Sequence, residues 1–111
     1  MSDTLLAVND GNFDAEVVLK SDQLVLVKFG AEWCAPCKRL TPIVEKFAQS
    51  NPTIKVVTID VDDAPNMSGQ YHIRSVPVLM LFKGGKLLGS KVGMMSLTEI
   101  EVFVTEKSSV E

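Results

Sequence analysis

The chain alternates between two apolar patterns. Residues 24–29 (LVLVKF), 55–61 (KVVTIDV) and 78–82 (VLMLF) are nearly continuous apolar, β-branched runs. Runs of this kind fit strands buried on both faces. Residues 5–8 suggest a short first strand. Between these runs the apolar positions take helical spacing. Phe13, Val17 and Val18 follow Asn9, Asp10 and Asn12, whose side-chain oxygens suit a helix N-cap, and this helix should end near Lys20. Leu40, Ile43, Val44 and Phe47 define a second helix over 37–49, which Pro42 should kink by removing a backbone donor. A short helix fits 65–71. Ser96 and Glu99 have capping-box spacing ahead of a last helix with Leu97, Ile100, Phe103 and Val104 on one face. Gly84-Gly85 turns the 78–82 run into 86–92, a strong hairpin signal. The predicted order is β-α-β-α-β-α-β-β-α. Its alternating part implies parallel strands with helices on both faces, and the closing hairpin makes the sheet mixed.

Composition narrows the class. The 111 residues are 46% hydrophobic, enough for one domain spanning 1–111 without disulfide staples or metal. A net charge of -3 gives no support for nucleic-acid or anionic-membrane binding. No apolar run approaches the roughly 20 residues of a membrane span. The opening MSDTLLAVNDGNF lacks a charged leader followed by an apolar stretch, so a cytoplasmic location is expected.

The candidate chemistry lies in GAEWCAPCKRLTP, residues 30–42, which holds both cysteines, Cys34 and Cys37. The pair follows a strand and begins a helix. Unpaired N–H groups and the positive end of the helix dipole favour a thiolate at Cys34. The three-residue step brings Cys37 to the same side of the first turn, where it can attack a mixed disulfide formed at Cys34. Pro36 suits a first turn, and the Trp33 indole is placed to shield the pair. A structural zinc site wants four ligands, and the chain offers only His72 besides this pair. A redox pair is the favoured reading over half a metal site or two inert thiols. His72 is assigned no catalytic role.

AEWCAPCK, residues 31–38, resembles the active-site signature of thioredoxins, with Ala35 where glycine is common. The resemblance continues through Pro42, VDDAP (61–65, including Asp62), YHIRSVPV (71–78), FKGGK (82–86) and KVGMMS (91–96), in order and over nearly the whole chain. It implies an α/β thioredoxin fold: a central mixed five-stranded sheet flanked by four helices. It also implies a protein thiol–disulfide oxidoreductase, with Cys34 attacking and Cys37 resolving. Pro77 would be a cis-proline opposite the pair. Trp33, Val76, Pro77 and Gly93 would line a substrate groove, with the Val76 backbone pairing with an extended peptide. Met94 and Met95 either widen that rim or pack beneath it. The implied partners are disulfide-containing client proteins and a thioredoxin reductase as electron donor. No metal or other cofactor is implied, and a monomer is expected.

The chain departs from the family at one place beneath the pair. Thioredoxins usually carry a buried aspartate at the position of Lys28, often a lysine at that of Thr58, and frequently a tryptophan at that of Gly30. Lys28 has three readings. Its stem is buried while its ammonium reaches Glu32 or Asp60, which is the favoured one. Alternatively it stays charged near the cysteines and stabilises thiolates, or it is neutral and acts as a base. A cation here should make the pair more oxidising than about -270 mV, the value for thioredoxin. Lys38, next to the pair, is a further site-tuning candidate or a solvated helix lysine. Two rival functions remain. A disulfide oxidase or isomerase is disfavoured by Ala35-Pro36, because those relatives tend to have histidine between the cysteines. A scaffold without redox chemistry is the other.

Overall fold

The computed structural model describes residues 5–18 and 22–109. Five strands form one sheet: β1 (Leu6–Val8), β2 (Leu24–Gly30), β3 (Lys55–Asp60), β4 (Val78–Lys83) and β5 (Lys86–Val92), in the order β1-β3-β2-β4-β5. β3 is parallel to both β1 and β2, and β4 is antiparallel to both β2 and β5. Three α-helices, α1 (Ala35–Ser50), α2 (Pro65–Gln70) and α3 (Leu97–Ser109), join a single π-helical turn, Asp14–Val18, to complete the α/β thioredoxin fold.

The alternation of side chains along β2 divides the molecule. Leu26 points into a core with Leu40, Val44 and Phe47 of α1 and Ile100, Phe103 and Val104 of α3. Val25, Val27 and Phe29 point the other way, towards Phe13, Val17 and the flank of α2. β4 divides in the same manner, with Leu79 and Leu81 on the first face and Met80 and Phe82 on the second. A strand with helices on both faces has no solvent side, which explains its unbroken apolar run. The same alternation puts Lys28 and Gly30 on the Leu26 face, under α1.

The first predicted helix is reduced to the π turn, and its expected end near Lys20 lies outside the described residues. Asp10 does not cap it. Its carboxylate accepts from the backbone N–H of Asn66 at 3.0 Å and of Met67 at 2.9 Å, at the start of α2. The residue at the cap position of α2 is Ala64, which has no side-chain acceptor, so the cap comes from 56 residues away. Asn9 and Asn12 instead close their own loop. The Ser96–Glu99 box forms as expected, with reciprocal bonds of 2.8 and 3.1 Å. Those bonds hold the Glu99 carboxyl below its usual range. Gly84 and Gly85 both have positive φ, as a two-residue turn between twisted strands requires. Pro42 stands inside α1, so the usual bond from the N–H of residue 42 to the Lys38 carbonyl cannot form.

Asp10→Ala should lower stability by about 1–2 kcal/mol, because α2 would lose its only side-chain cap among the described residues and a charge at its positive end. A reduced urea midpoint with an unchanged slope would show this, and a midpoint equal to wild type would refute it.

Candidate active site

β2 ends at Gly30, and a tight turn through Ala31, Glu32 and Trp33 leads straight into α1. Cys34 is the N-cap of that helix. Its backbone is extended (φ -100°, ψ 108°), and its Sγ accepts from the Cys37 N–H at 3.2 Å. A sulfur there occupies the place a serine or aspartate oxygen takes at other helix starts. Ala35 and Pro36 form the first turn, where a missing proline N–H removes nothing the helix uses. Cys34 and Cys37 form a disulfide with Cα atoms 5.3 Å apart. Cys37 is 2% exposed and Cys34 6%, and both pack with Ala31 against Val61 and Val76.

The loop before β4 closes the other side. The Val76–Pro77 peptide bond is cis. The Val76 carbonyl oxygen lies 3.7 Å from Cys34 Sγ, and the Gly93 N–H donates to the Pro77 carbonyl at 2.9 Å. The helix start and the loop before β4 thus meet at Cys34, with Gly93 bonded to that loop. Trp33 belongs to the same surface but is not packed over the sulfurs: it is 71% exposed, and its Nε1–H donates to Asp62 Oδ2 at 3.0 Å. The resemblance had marked Asp62 without predicting this bond. The two methionines separate. Met95 is buried in the α1/α3 core, while Met94 is exposed beside Gly93. His72 is exposed on a turn with φ 56°. Lys38 is exposed on the first turns of α1.

Behind the pair lies a cleft of about 680 Å³, bounded by β2, β3 and the first half of α1. Among the described residues Lys28 is the only buried charged side chain, at 6% exposure. It does not reach for Glu32 or Asp60. Nζ donates to Thr41 Oγ1 at 2.8 Å, and the Thr41 hydroxyl donates to the Cys37 carbonyl at 3.1 Å. Lys28 emerges beneath α1, where Thr41 is the polar group overhead, although Glu32 and Asp60 line the same cleft. Burial lowers the Lys28 pKa, and the negative charge of Glu45 opposes this less strongly. Among the described residues no group of acidic, cysteine and histidine side chains has the arrangement to hold a metal ion.

A cysteine pair on a helix start, at the carboxyl end of a central strand and facing a cis-proline loop, defines a thiol–disulfide oxidoreductase of thioredoxin architecture. Comparison with known proteins gives the family directly. The thioredoxin family profile matches residues 4–106. The chain is 45% identical to the thioredoxin of Acidithiobacillus ferridurans over 105 residues, covering 94% of this chain and 96% of that one. It is 41% identical to the thioredoxin of Buchnera aphidicola subsp. Baizongia pistaciae, with 94% and 95% covered. To the thioredoxin of Rickettsia bellii it is 47% identical over 88 residues, 78% and 83% of the two chains. The chain belongs to the thioredoxin family, and its activity is that of a protein thiol–disulfide oxidoreductase. No helix among the described residues is long and apolar enough to cross a membrane.

The buried lysine has a consequence for stability. Its folded-state pKa lies below the ordinary 10.5, so between those two values the unfolded chain holds more protons than the folded one. Stability of the disulfide form should therefore rise with pH towards 10.5, and the full penalty should be present below the lowered value. Lys28→Met should remove this slope and be at least as stable as wild type at pH 7. Urea unfolding of both proteins from pH 7 to 10.5 checks it; parallel pH curves would contradict the assignment.

Proposed function

We propose that this chain is a single-domain protein disulfide reductase, with Cys34 as the attacking thiol and Cys37 as the resolving one. The observation that carries the assignment is the helix-capping position of Cys34 Sγ, against the Val76 carbonyl on one side and the Cys37 N–H on the other. A thiolate at Cys34 is favoured by the helix start and is the less buried of the two sulfurs. It attacks one sulfur of a client disulfide and releases the other as a thiolate. Cys37 then attacks Cys34, the intramolecular disulfide forms, and the client leaves reduced.

Val76, Pro77 and Gly93, with Trp33 at the edge, form the docking surface of this reading. The Val76 backbone precedes β4 and is placed to pair with an extended client segment, which gives grip with little sequence preference. Trp33, Val92 and Met94 are exposed large apolar residues at or beside this groove, which fits a protein client. Ala35, Pro36 and Lys38 tune the helix start. A flavin-containing thioredoxin reductase is the electron donor of this reading, the cytoplasm its compartment, and a monomer its working form. The scattered positions of the remaining exposed apolar side chains, Leu6, Leu87 and Val102, support the last point.

Cys37→Ser should arrest the cycle at the mixed disulfide. Incubated with a disulfide-bonded test protein, it should give a covalent adduct through Cys34 that dithiothreitol dissolves, while Cys34→Ser gives none. Both should reduce the test protein no faster than dithiothreitol alone. No adduct with Cys37→Ser, together with no reduction of the test protein by wild type beyond dithiothreitol alone, would remove the redox assignment and favour a scaffold.

A further inference from the structure

The disulfide has two sides. Cys34 Sγ lies against the Val76 carbonyl, on the side of the cis-proline loop. Cys37, and not Cys34, lines the cleft between β2, β3 and α1. Gly30 keeps that second side open. A Cβ at residue 30 would lie 3.3 Å from Cys37 Cβ, 3.4 Å from Cys37 Sγ and 3.6 Å from Lys28 Nζ. A larger side chain would reach over the sulfur; glycine leaves it at the inner end of the cleft, beside the lysine. The volume of about 680 Å³ is that of a small-molecule site. Cys37 is 2% exposed, so the inner opening suits a small sulfur nucleophile and excludes a protein loop.

The charges of the cleft select its ligand. Lys28 is buried, and among the described residues its Nζ gives one of the three N–H donors of an ammonium to Thr41. The other two can serve an anion. Further out, Glu32, Glu45 and Asp60 line the cleft with one more ammonium, that of Lys38. A simple anion would have to pass three carboxylates, and a simple cation would meet Lys28. A molecule with one carboxylate and one amino group matches both. We propose that the cleft admits a small thiol of the amino-acid class, and that its thiolate attacks the disulfide at Cys37 rather than at Cys34. The carboxylate takes the spare donors of Lys28, and the amino group faces the outer carboxylates. Burial works against the Lys28 charge, and an arriving carboxylate supports it.

The chemistry favours this sulfur. Exchange is faster when the departing sulfur is the more stable thiolate. Attack at Cys37 expels Cys34, whose Sγ already accepts from the Cys37 N–H at the helix start. The incoming thiolate bonds to Cys37 Sγ, and the Cys34–Cys37 bond breaks with its electron pair on Cys34. A second small thiolate then attacks the ligand sulfur, a small disulfide leaves, and Cys37 departs with the electron pair. Two thiols are oxidised to one disulfide, and the protein disulfide is reduced by the same two electrons. The two protons the thiols shed return to the protein sulfurs through solvent. Amino-acid-type thiols are then a second source of electrons for the pair, using an entrance that protein clients do not share. The proposal rests on the disulfide alone, and not on which cysteine attacks a client.

The test mixes oxidised wild-type protein at neutral pH with cysteine, 3-mercaptopropionate, cysteamine or 2-mercaptoethanol. Each reaction is stopped with acid and its free thiols are blocked. Each rate is divided by that thiol's rate with a flexible small disulfide at the same pH, which cancels differences in thiol acidity. Fragment mass spectrometry locates the added thiol. Cysteine should exceed 2-mercaptoethanol by about 10-fold in normalised rate, as one charge-assisted hydrogen bond allows. Its adduct should lie on Cys37, with the block on Cys34. Lys28→Met should bring cysteine down to the normalised rate of cysteamine, which lacks only the carboxylate. Gly30→Ala, whose Cβ would crowd Cys37, should lower the Cys37 adduct with every thiol. No adduct on Cys37, or equal normalised rates for the four thiols, would overturn the proposal, as would a cysteine preference that survives Lys28→Met. If the variants do not fold, the wild-type rates and adduct position decide alone. They involve no protein client, so they are read independently of whether Cys37→Ser traps an adduct.

Discussion

Everything at the active site depends on β2 being covered on both faces. β2 pairs with β3 on one edge and β4 on the other, and its side chains divide strictly between two cores. Such a strand has few ways to shift, since a slip of one residue would exchange the contents of the two cores. Its carboxyl end is therefore a fixed ledge. α1 starts from it after only four residues, and Phe47, Val44 and Leu40 anchor the helix on the Leu26 face. The position of Cys34 at the helix start is a consequence of that anchoring, as is the position of Lys28 beneath the helix.

Two tendencies compete at the sulfur pair. The helix start offers an N–H and a positive dipole end to Cys34, which favours a thiolate. The apolar packing of Ala31, Val61 and Val76 removes water, which disfavours charge. Cys34 has the helix terminus to offset its burial. Cys37 has already spent its backbone N–H on Cys34 and sits deeper. The two thiols are thus unequal by construction: the helix start favours a thiolate at Cys34 and offers nothing comparable to Cys37.

Much of this was legible in the sequence because it is local. The apolar runs marked the strands, Gly84-Gly85 marked the hairpin, Ser96 and Glu99 marked a helix start, and the cysteine spacing marked the pair. What escaped is what the chain assembles at a distance. Asp10 looked like a cap for the residues that follow it, yet it caps α2, because only the sheet brings those segments together. Lys28 looked ready to reach Glu32 or Asp60, which line the same cleft, but the packing of α1 over β2 puts Thr41 within its reach instead. The adjacent methionines Met94 and Met95 carried no signal that one is core and the other surface. The Trp33–Asp62 bond joins two loops whose separation in space the sequence does not encode.

The departures from the family pattern at 28, 30 and 58 are best understood as one change. Lys28 and Thr58 are direct partners in the parallel pairing of β2 and β3, with Gly30 two residues further along the same face. A lysine at 58 suits an aspartate at 28, since opposite charges on adjacent strands attract. Beside Lys28 it would place two like charges in neighbouring positions of a largely buried sheet, which is unfavourable. A neutral threonine removes that conflict. Bulk at 30 would fill the space that the lysine amine and Cys37 both face. Once residue 28 is a lysine, a small residue at 30 and an uncharged one at 58 follow from sterics and electrostatics. The three positions therefore describe one altered environment around Cys37.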